Sequence, residues 1–338
     1  MNIDQVTISW SIRLGNGDNM KGQGVLVTGG AGFIGSALVD LLMENGYTVL
    51  VLDDLSTGRM ENLERWLDDD NFKFIDGDIR HPLDDSLTPS KTGSGPPIAW
   101  IFHLAARVDV TSSFNDPRSD LEVNYLGTMN MLDHAVRHGI KKVVFTSSAA
   151  IYGDTSDLPI EESHPLEPLS PYGLHKLASE RLMDIYHKHF GMKYTALRLF
   201  NVFGPRQDPS SQYSGVISKF LHKAIGGEPL IIYGNGSQTR DFVYVRDVAE
   251  ILVRAAASGF NGPLNVATGI ETSVNDLAAA VERVSSRELK KVNLPERKGE
   301  IIRSVADVAL LEQALGMNET TDLREGLRET YRWMEKQH

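Results

Sequence analysis

The chain of 338 residues contains no cysteine. Disulfides, thiolate-bound metals and a cysteine nucleophile are therefore excluded, and the composition suits a reducing cytoplasm, the expected location. No apolar run approaches the roughly 18 residues that a membrane span needs, so neither a membrane partner nor a spanning helix is expected. Basic residues are in deficit, with 34 Lys and Arg against 45 Asp and Glu and a net charge of −11. This balance disfavours nucleic acid or an anionic surface as partner, and an anionic ligand has to be met by a few placed arginines. Residues 1–21 carry Asp4, Arg13 and Asp18 without a continuous apolar segment, and are expected not to be a signal peptide. They read either as a leader before an alternative start at Met20 or as an added strand or arm. Internal repeats and linkers are also lacking, and no metal site is expected.

What is present is an ordinary globular composition, 41% hydrophobic, enough for one large or two intimate domains. Short apolar strands are expected at 24–28, 47–52, 72–75, 99–104, 142–146 and 194–199, with helices over 33–45, 121–138 and 172–190 between them. Strands alternating with helices predict an α/β, doubly wound parallel sheet. The stretch 81–97 is rich in Pro, Ser, Thr and Gly and is expected to be a surface loop, with 83–87 as a possible helical turn. Beyond residue 200 the pattern becomes irregular. The expected division is a leader at 1–21, a dinucleotide-binding domain at 22–200 and a smaller, discontinuous substrate lobe over 201–338, with about 241–258 returning to the first domain.

The first strand runs into Gly29-Gly30-Ala31-Gly32-Phe33-Ile34-Gly35, a tight turn that opens a helix. Glycines there let the backbone approach a pyrophosphate at the helix N-terminus, where free N–H groups and the dipole favour negative charge. The spacing fits both Gly30-x-Gly32-x-x-Gly35 and the wider Gly29-x-x-Gly32-x-x-Gly35. The second strand ends in Asp53, 21 residues after Gly32, where a carboxylate can accept bonds from the adenosine ribose hydroxyls. An acid at that place repels the extra phosphate of NADP, so NAD is the expected cofactor.

A second constellation follows the fifth strand. Thr146-Ser147-Ser148-Ala149-Ala150-Ile151-Tyr152-Gly153 is followed by Tyr172-Gly173-Leu174-His175-Lys176, which opens a helix. Helical periodicity stacks Tyr172 and Lys176 on one face, so the ammonium is expected to favour the ionised phenol. Tyr172 is thus a candidate general base, helped by Lys176 and a cationic nicotinamide, with Ser148 as a further hydroxyl.

Together with Asp53-Asp54-Leu55-Ser56-Thr57-Gly58, Gly77-Asp78-Ile79-Arg80, Phe102-His103-Leu104-Ala105-Ala106, Asn124, Arg198 to Pro205 and Arg240-Asp241, these motifs resemble the extended short-chain dehydrogenase/reductase superfamily. Within it the chain is similar to the nucleotide-sugar 4-epimerases over about 22–335. The resemblance implies a Rossmann domain whose NAD meets Gly29, Gly32, Phe33, Ile34, Gly35, Asp53, Asp54, Ser56, Thr57, Gly58, Leu104, Ala105, Ala106, Ser147, Tyr172 and Lys176. Asp78 and Ile79 would flank the adenine. Asn124 is either a cofactor contact or a helix residue bonding neighbouring backbone. For a UDP-sugar the resemblance implies Arg107, Ser148, Asn201, Val216, Tyr233, Arg240, Arg297, Glu300 and Ser304. It also implies a homodimer through helices near 120–138 and 172–190, although Leu177, Leu182 and Ile185 could equally be core contacts.

Departures from related branches narrow the implied chemistry. Dehydratases of this superfamily carry a carboxylate after the active-site hydroxyl, where this chain has Ala149 and Ala150. What remains is epimerisation through a transient 4-keto sugar, with a nucleotide-sugar dehydratase as the alternative and a non-enzymatic dinucleotide sensor as a remote one. The small Ser304 and the stretch Arg206-Gln207-Asp208-Pro209 resemble the branch that accepts UDP-N-acetylglucosamine and UDP-N-acetylgalactosamine, with UDP-glucose and UDP-galactose close behind.

Overall fold

In the computed structural model the described residues are 22–83, 96–209, 215–296 and 301–337. The leader, most of the loop expected at 81–97 and the candidate residues Arg297 and Glu300 lie outside them.

In chain order the elements are β1 (Gly24–Thr28), α1 (Phe33–Glu44), β2 (Thr48–Asp53), β3 (Phe72–Asp76), β4 (Ile98–His103), α2 (Val110–Asn115) and α3 (Pro117–Leu121). A π-turn (Glu122–Leu126) then leads into α4 (Gly127–His138), followed by β5 (Lys142–Ser148), α5 (Pro171–Phe190) and β6 (Lys193–Leu199). The remainder comprises β7 (Asn201–Phe203), α6 (Val216–Gly226), β8 (Leu230–Tyr233), β9 (Thr239–Tyr244), α7 (Val245–Ala257), β10 (Gly262–Val266) and β11 (Glu271–Ser273). It closes with α8 (Val274–Ser285), β12 (Lys291–Leu294), α9 (Ala309–Leu315) and α10 (Leu323–Glu335).

Seven strands form one sheet in the order β10-β6-β5-β4-β1-β2-β3. Every pairing in it is parallel. Side chains along a strand alternate between faces. In β1, Val25 and Val27 accordingly enter one core with α1 and α7, while Leu26 enters another with Met131 and Leu132 of α4 and Met183 of α5. Both faces are buried, which is why the strands read as near-continuous apolar runs. The strand order reverses between β1 and β4, and a crevice beyond the strand ends at such a reversal is where ligands of this architecture bind.

The return of the chain to this sheet differs in detail from the reading at 241–258. Residues 239–244 pair instead in a three-stranded sheet of order β11-β9-β7. It is α7 that packs on the large sheet, against α1, and β10 that adds the seventh strand. A further core joins β7, α6, β8, β9, α8 and α10, and Phe33 and Ile34 at the start of α1 pack against it. The helix that begins at the glycine turn therefore touches both halves of the molecule.

Candidate active site

The turn after β1 is held by contacts that admit no side chain. Gly29 has φ +73°, and a Cβ there would lie 2.7 Å from the amide nitrogen of Ala105. A Cβ on Gly35 would fall 2.0 Å from the Gly29 carbonyl oxygen, so these two positions lock the wider glycine spacing. Gly32 caps α1 without a side-chain bond to the first turn, which leaves backbone donors of Phe33, Ile34 and Gly35 at the crevice. Asp53, at the end of β2, accepts from the backbone N–H groups of Ala31 and Leu55, each at 2.9 Å. Its first task is thus to brace the glycine turn. Burial pushes its carboxyl upward, and those two bonds pull the other way. Each oxygen keeps a second lone pair for a hydroxyl donor. Gly58 is required beside it, because a Cβ would stand 2.7 Å from the Asp53 Oδ1.

Around this turn the remaining cofactor candidates divide. Asp54 accepts from the Ser56 N–H and hydroxyl at 3.0 and 2.6 Å, forming an exposed turn that also carries Thr57. Asp78 is tied to Arg80, which holds its carboxyl below the usual range. The Ile79 side chain points into the core beneath Gly127, so only its backbone is left to meet an adenine. Leu104, Ala105 and Ala106 follow β4, where Ala105 donates to the Thr28 hydroxyl at 3.2 Å.

Of the two roles expected for Asn124, the structure shows the bonding of neighbouring backbone. Its amide accepts from the Arg107 N–H at 3.0 Å and donates to the Arg107 carbonyl at 2.9 Å. Buried and bonded in this way, it pins the loop after β4. The π-turn frees its own carbonyl, which accepts from Ser179 of α5 at 2.9 Å.

The strand β5 runs two residues past its expected end and carries Ser147 and Ser148 to the sheet margin. Ser148 accepts from the Ala150 N–H at 3.2 Å and stands where it pulls the Tyr172 phenol downward. Tyr172 stands in the first turn of α5, which Pro171 opens and Ser170 caps by accepting from Gly173. Gly173 lets that turn press onto the Ala150 carbonyl, where a Cβ would be 2.7 Å away. Lys176 is buried, donates to the Thr146 carbonyl at 2.8 Å, and lies 5.9 Å from the Tyr172 ring centre.

The expected lowering of the phenol by the lysine is not realised in the chain alone. Burial pushes Tyr172 up to about 12, with Ser148 opposing and Asp120 adding to the rise. Burial likewise pulls Lys176 down to about 7, opposed by Asp120 and Glu180. His103 below them is held neutral, pulled to about 3 chiefly by burial. The Ser147 hydroxyl is buried without a hydrogen-bond partner. An orphaned hydroxyl at the end of β5, together with a turn that excludes side chains, fits a dinucleotide laid across these strand ends.

On the other side, Asn201 begins β7, and Arg240 lies in β9 with its guanidinium donating to the carbonyls of Thr239 and Ile301 at 2.7 and 2.8 Å. Tyr233 ends β8, Val216 opens α6, and both are half-buried, as is Ser304. Arg107 stands 3.5 Å from Asp116. Two ion pairs, Arg206 with Asp40 and Arg59 with Asp208, each at 2.8 Å, join the stretch 206–208 to the first half.

Several supporting roles escaped the sequence reading, in which Asp241, Arg198 and Tyr152 stood only as members of motifs. Asp241 accepts from the N–H groups of Thr268, Gly269 and Ala306, organising two loops at once. Arg198 binds Glu180 at 2.8 Å and donates to the Tyr152 hydroxyl, which itself donates to Asn265, so α5 is tied to β6 and β10. Glu180 follows Lys176 by one helical turn, and that spacing was the available signal. Asp120 and His175 are joined at 2.5 Å, a contact across 55 positions that no local pattern reveals. Among the described residues no cluster could hold a metal ion, and no helix is long and apolar enough to cross a membrane.

Comparison with known proteins adds to this geometry. The sequence profile of the NAD dependent epimerase/dehydratase family matches residues 25–267. A curated UDP-glucose 4-epimerase of Mycolicibacterium smegmatis is 39% identical over 307 residues, covering 90% of this chain and 96% of its own. The solved UDP-N-acetylglucosamine 4-epimerase of Methanobrevibacter ruminantium, in complex with UDP-N-acetylmuramic acid, superposes with a TM-score of 0.88 at 37% identity, covering 94% of this chain and all of that one (100%). A dTDP-glucose 4,6-dehydratase of Streptomyces venezuelae, solved with NAD, gives 0.83 at 30% identity, with 93% and 97% covered.

Proposed function

We propose, from the premise that this chain belongs to the NAD dependent epimerase/dehydratase family, that it is a UDP-sugar 4-epimerase working in the cytoplasm. The observation that carries the reading is that Ser148 at the end of β5 acts on Tyr172 in the first turn of α5, one turn before the buried Lys176, with Ala149 and Ala150 where a dehydratase needs an acid. Elimination of water requires a group that takes a proton from carbon and another that protonates the leaving hydroxyl. Two methyl side chains can do neither.

NAD supplies reversible oxidation at C4 of the sugar and ends unchanged. The backbone donors of the glycine turn, Asp53 and the Ser147 hydroxyl would hold it. Tyr172 takes the proton of the 4-hydroxyl and later returns it, while Ser148 orients that hydroxyl and the Lys176 cation favours the phenolate. Because burial and Asp120 keep the phenol protonated up to about 12 against the pull of Ser148, a bound cationic nicotinamide would supply the further positive charge that proton removal by Tyr172 needs. Arg240, Asn201, Arg107, Val216, Tyr233, Arg297 and Glu300 are assigned to the UDP-sugar. The half-buried Ser304 supports room for an N-acetyl group, so UDP-N-acetylglucosamine and UDP-N-acetylgalactosamine are placed ahead of UDP-glucose and UDP-galactose.

For the protein partner, a second copy is proposed. Leu174 and Ile185, about three turns apart on one side of α5, are exposed on the face that would form a four-helix bundle with α4, whereas Leu177 and Leu182 pack inward. The deciding experiment is incubation with a panel of nucleotide sugars read by mass and stereochemistry. Epimerisation conserves mass, dehydration loses one water, and no turnover of any UDP-sugar would end the assignment.

A further inference from the structure

Asp120 lies near the end of α3 with its side chain wholly buried. One oxygen faces the His175 Nδ1 at 2.5 Å, and the other is buried with no hydrogen-bond partner. His175 is the residue before Lys176, and α3 packs directly on α5. A carboxylate left half-satisfied in such a place needs a reason. Its surroundings supply one.

Lys176 is buried among groups that do not balance its charge. Its ammonium has the Thr146 carbonyl and the faces of Phe145 and Tyr172, at 4.6 and 5.9 Å from the ring centres. No carboxylate approaches it within ion-pair distance among the described residues. Glu180, on the same helix, is neutralised by Arg198 of β6. His103 of β4 sits between Thr28 and Thr128 and carries no charge. On the α3 side, Asp116 caps its own helix and faces Arg107, and Arg118 lies on the same short helix. That leaves Asp120, with His175 against it, as the negative charge that acts on both Lys176 and Tyr172.

We propose that Asp120, held in place by His175, is a positioning residue that sets the protonation of the Tyr172 and Lys176 couple by keeping protons on both. Its charge opposes discharge of the buried ammonium, which without it would fall further below about 7, and opposes premature loss of the phenolic proton. Both effects have one sign. Removing the charge therefore lowers the titration of both groups together, whereas a merely structural carboxylate would alter only the amount of active protein.

The inference rests on Tyr172 as the base, and its test has one readout that needs turnover and one that does not. In the NAD-loaded full-length Asp120→Asn protein, both limbs of the pH profile of kcat should move to lower pH by about one unit. The ultraviolet tyrosinate signal of Tyr172, obtained by subtracting the Tyr172→Phe protein, should move in the same direction. Asp120→Glu should bring both back. If Asp120→Asn does not fold, Asp120→Ser serves as the neutral variant. A fall in kcat with unmoved limbs, an unmoved tyrosinate titration, or a shift to higher pH would overturn the proposal. A chain that turns over no UDP-sugar would sink the epimerase reading instead, with the tyrosinate titration still deciding the role of Asp120.

Discussion

On the large parallel sheet, the glycine turn is locked by its own members, with Gly35 seated on the Gly29 carbonyl and Ser148 bonded to Ala150 two positions on. On the three-stranded sheet, Arg240 is held by the carbonyl of Ile301, 61 positions away, and Asp241 by Thr268, Gly269 and Ala306. The cofactor side of the crevice is thus written in short motifs, and the sugar side is assembled from distant pieces. The contrast also separates chemistry from selectivity. In the proposed reading the chemistry falls to the tightly constrained half, and the choice of sugar to segments that meet only in the folded chain.

The largest expected effect falls on the constrained half. Tyr172→Phe removes the proton acceptor while leaving the ring in its packing, so kcat should drop by about a thousandfold with NAD still bound. Steady-state kinetics and the absorbance of bound nucleotide check this, and wild-type turnover in the variant would break the division. Asp53→Ala comes next. It deletes both the brace on Ala31 and Leu55 and the acid that repels NADP, so affinity for NAD should fall by about tenfold to a hundredfold and the preference over NADP should shrink. Titration with each dinucleotide reads both quantities. If discrimination against NADP is unchanged, Asp53 is a brace and nothing more.

The smallest effect is expected on the assembled side. Ser304→Tyr should lower kcat/KM for N-acetylated UDP-sugars about tenfold more than for plain UDP-hexoses, the difference made by filling space beside one substituent. Competition between UDP-N-acetylglucosamine and UDP-glucose measures it. Equal losses on both would mean that Ser304 is no gate and that selectivity lies elsewhere in the lobe.

Much of this site was legible before folding, and particular residues show why. The turn Gly29 to Gly35, the acid at the end of β2 and the stacking of Tyr172 with Lys176 all depend on backbone geometry that repeats within a few residues. Asn124 was legible only in part. Its place in a helix could be read, but the π-turn and its two bonds to Arg107 could not, because they arise where the loop after β4 meets that helix. Asp120 and His175 carried no readable signal at all.

The sequence by itself determined the alternation of strands and helices, the dinucleotide turn, the acid at the end of β2 and the spacing of Tyr172 and Lys176. These follow from dihedral preferences, periodicity and charge, which are local properties. Only the tertiary structure decided that burial dominates the Tyr172 phenol, that β10 closes the sheet, and that the buried Asp120 stands against α5. Desolvation and long-range pairing exist only once distant segments exclude water from one another.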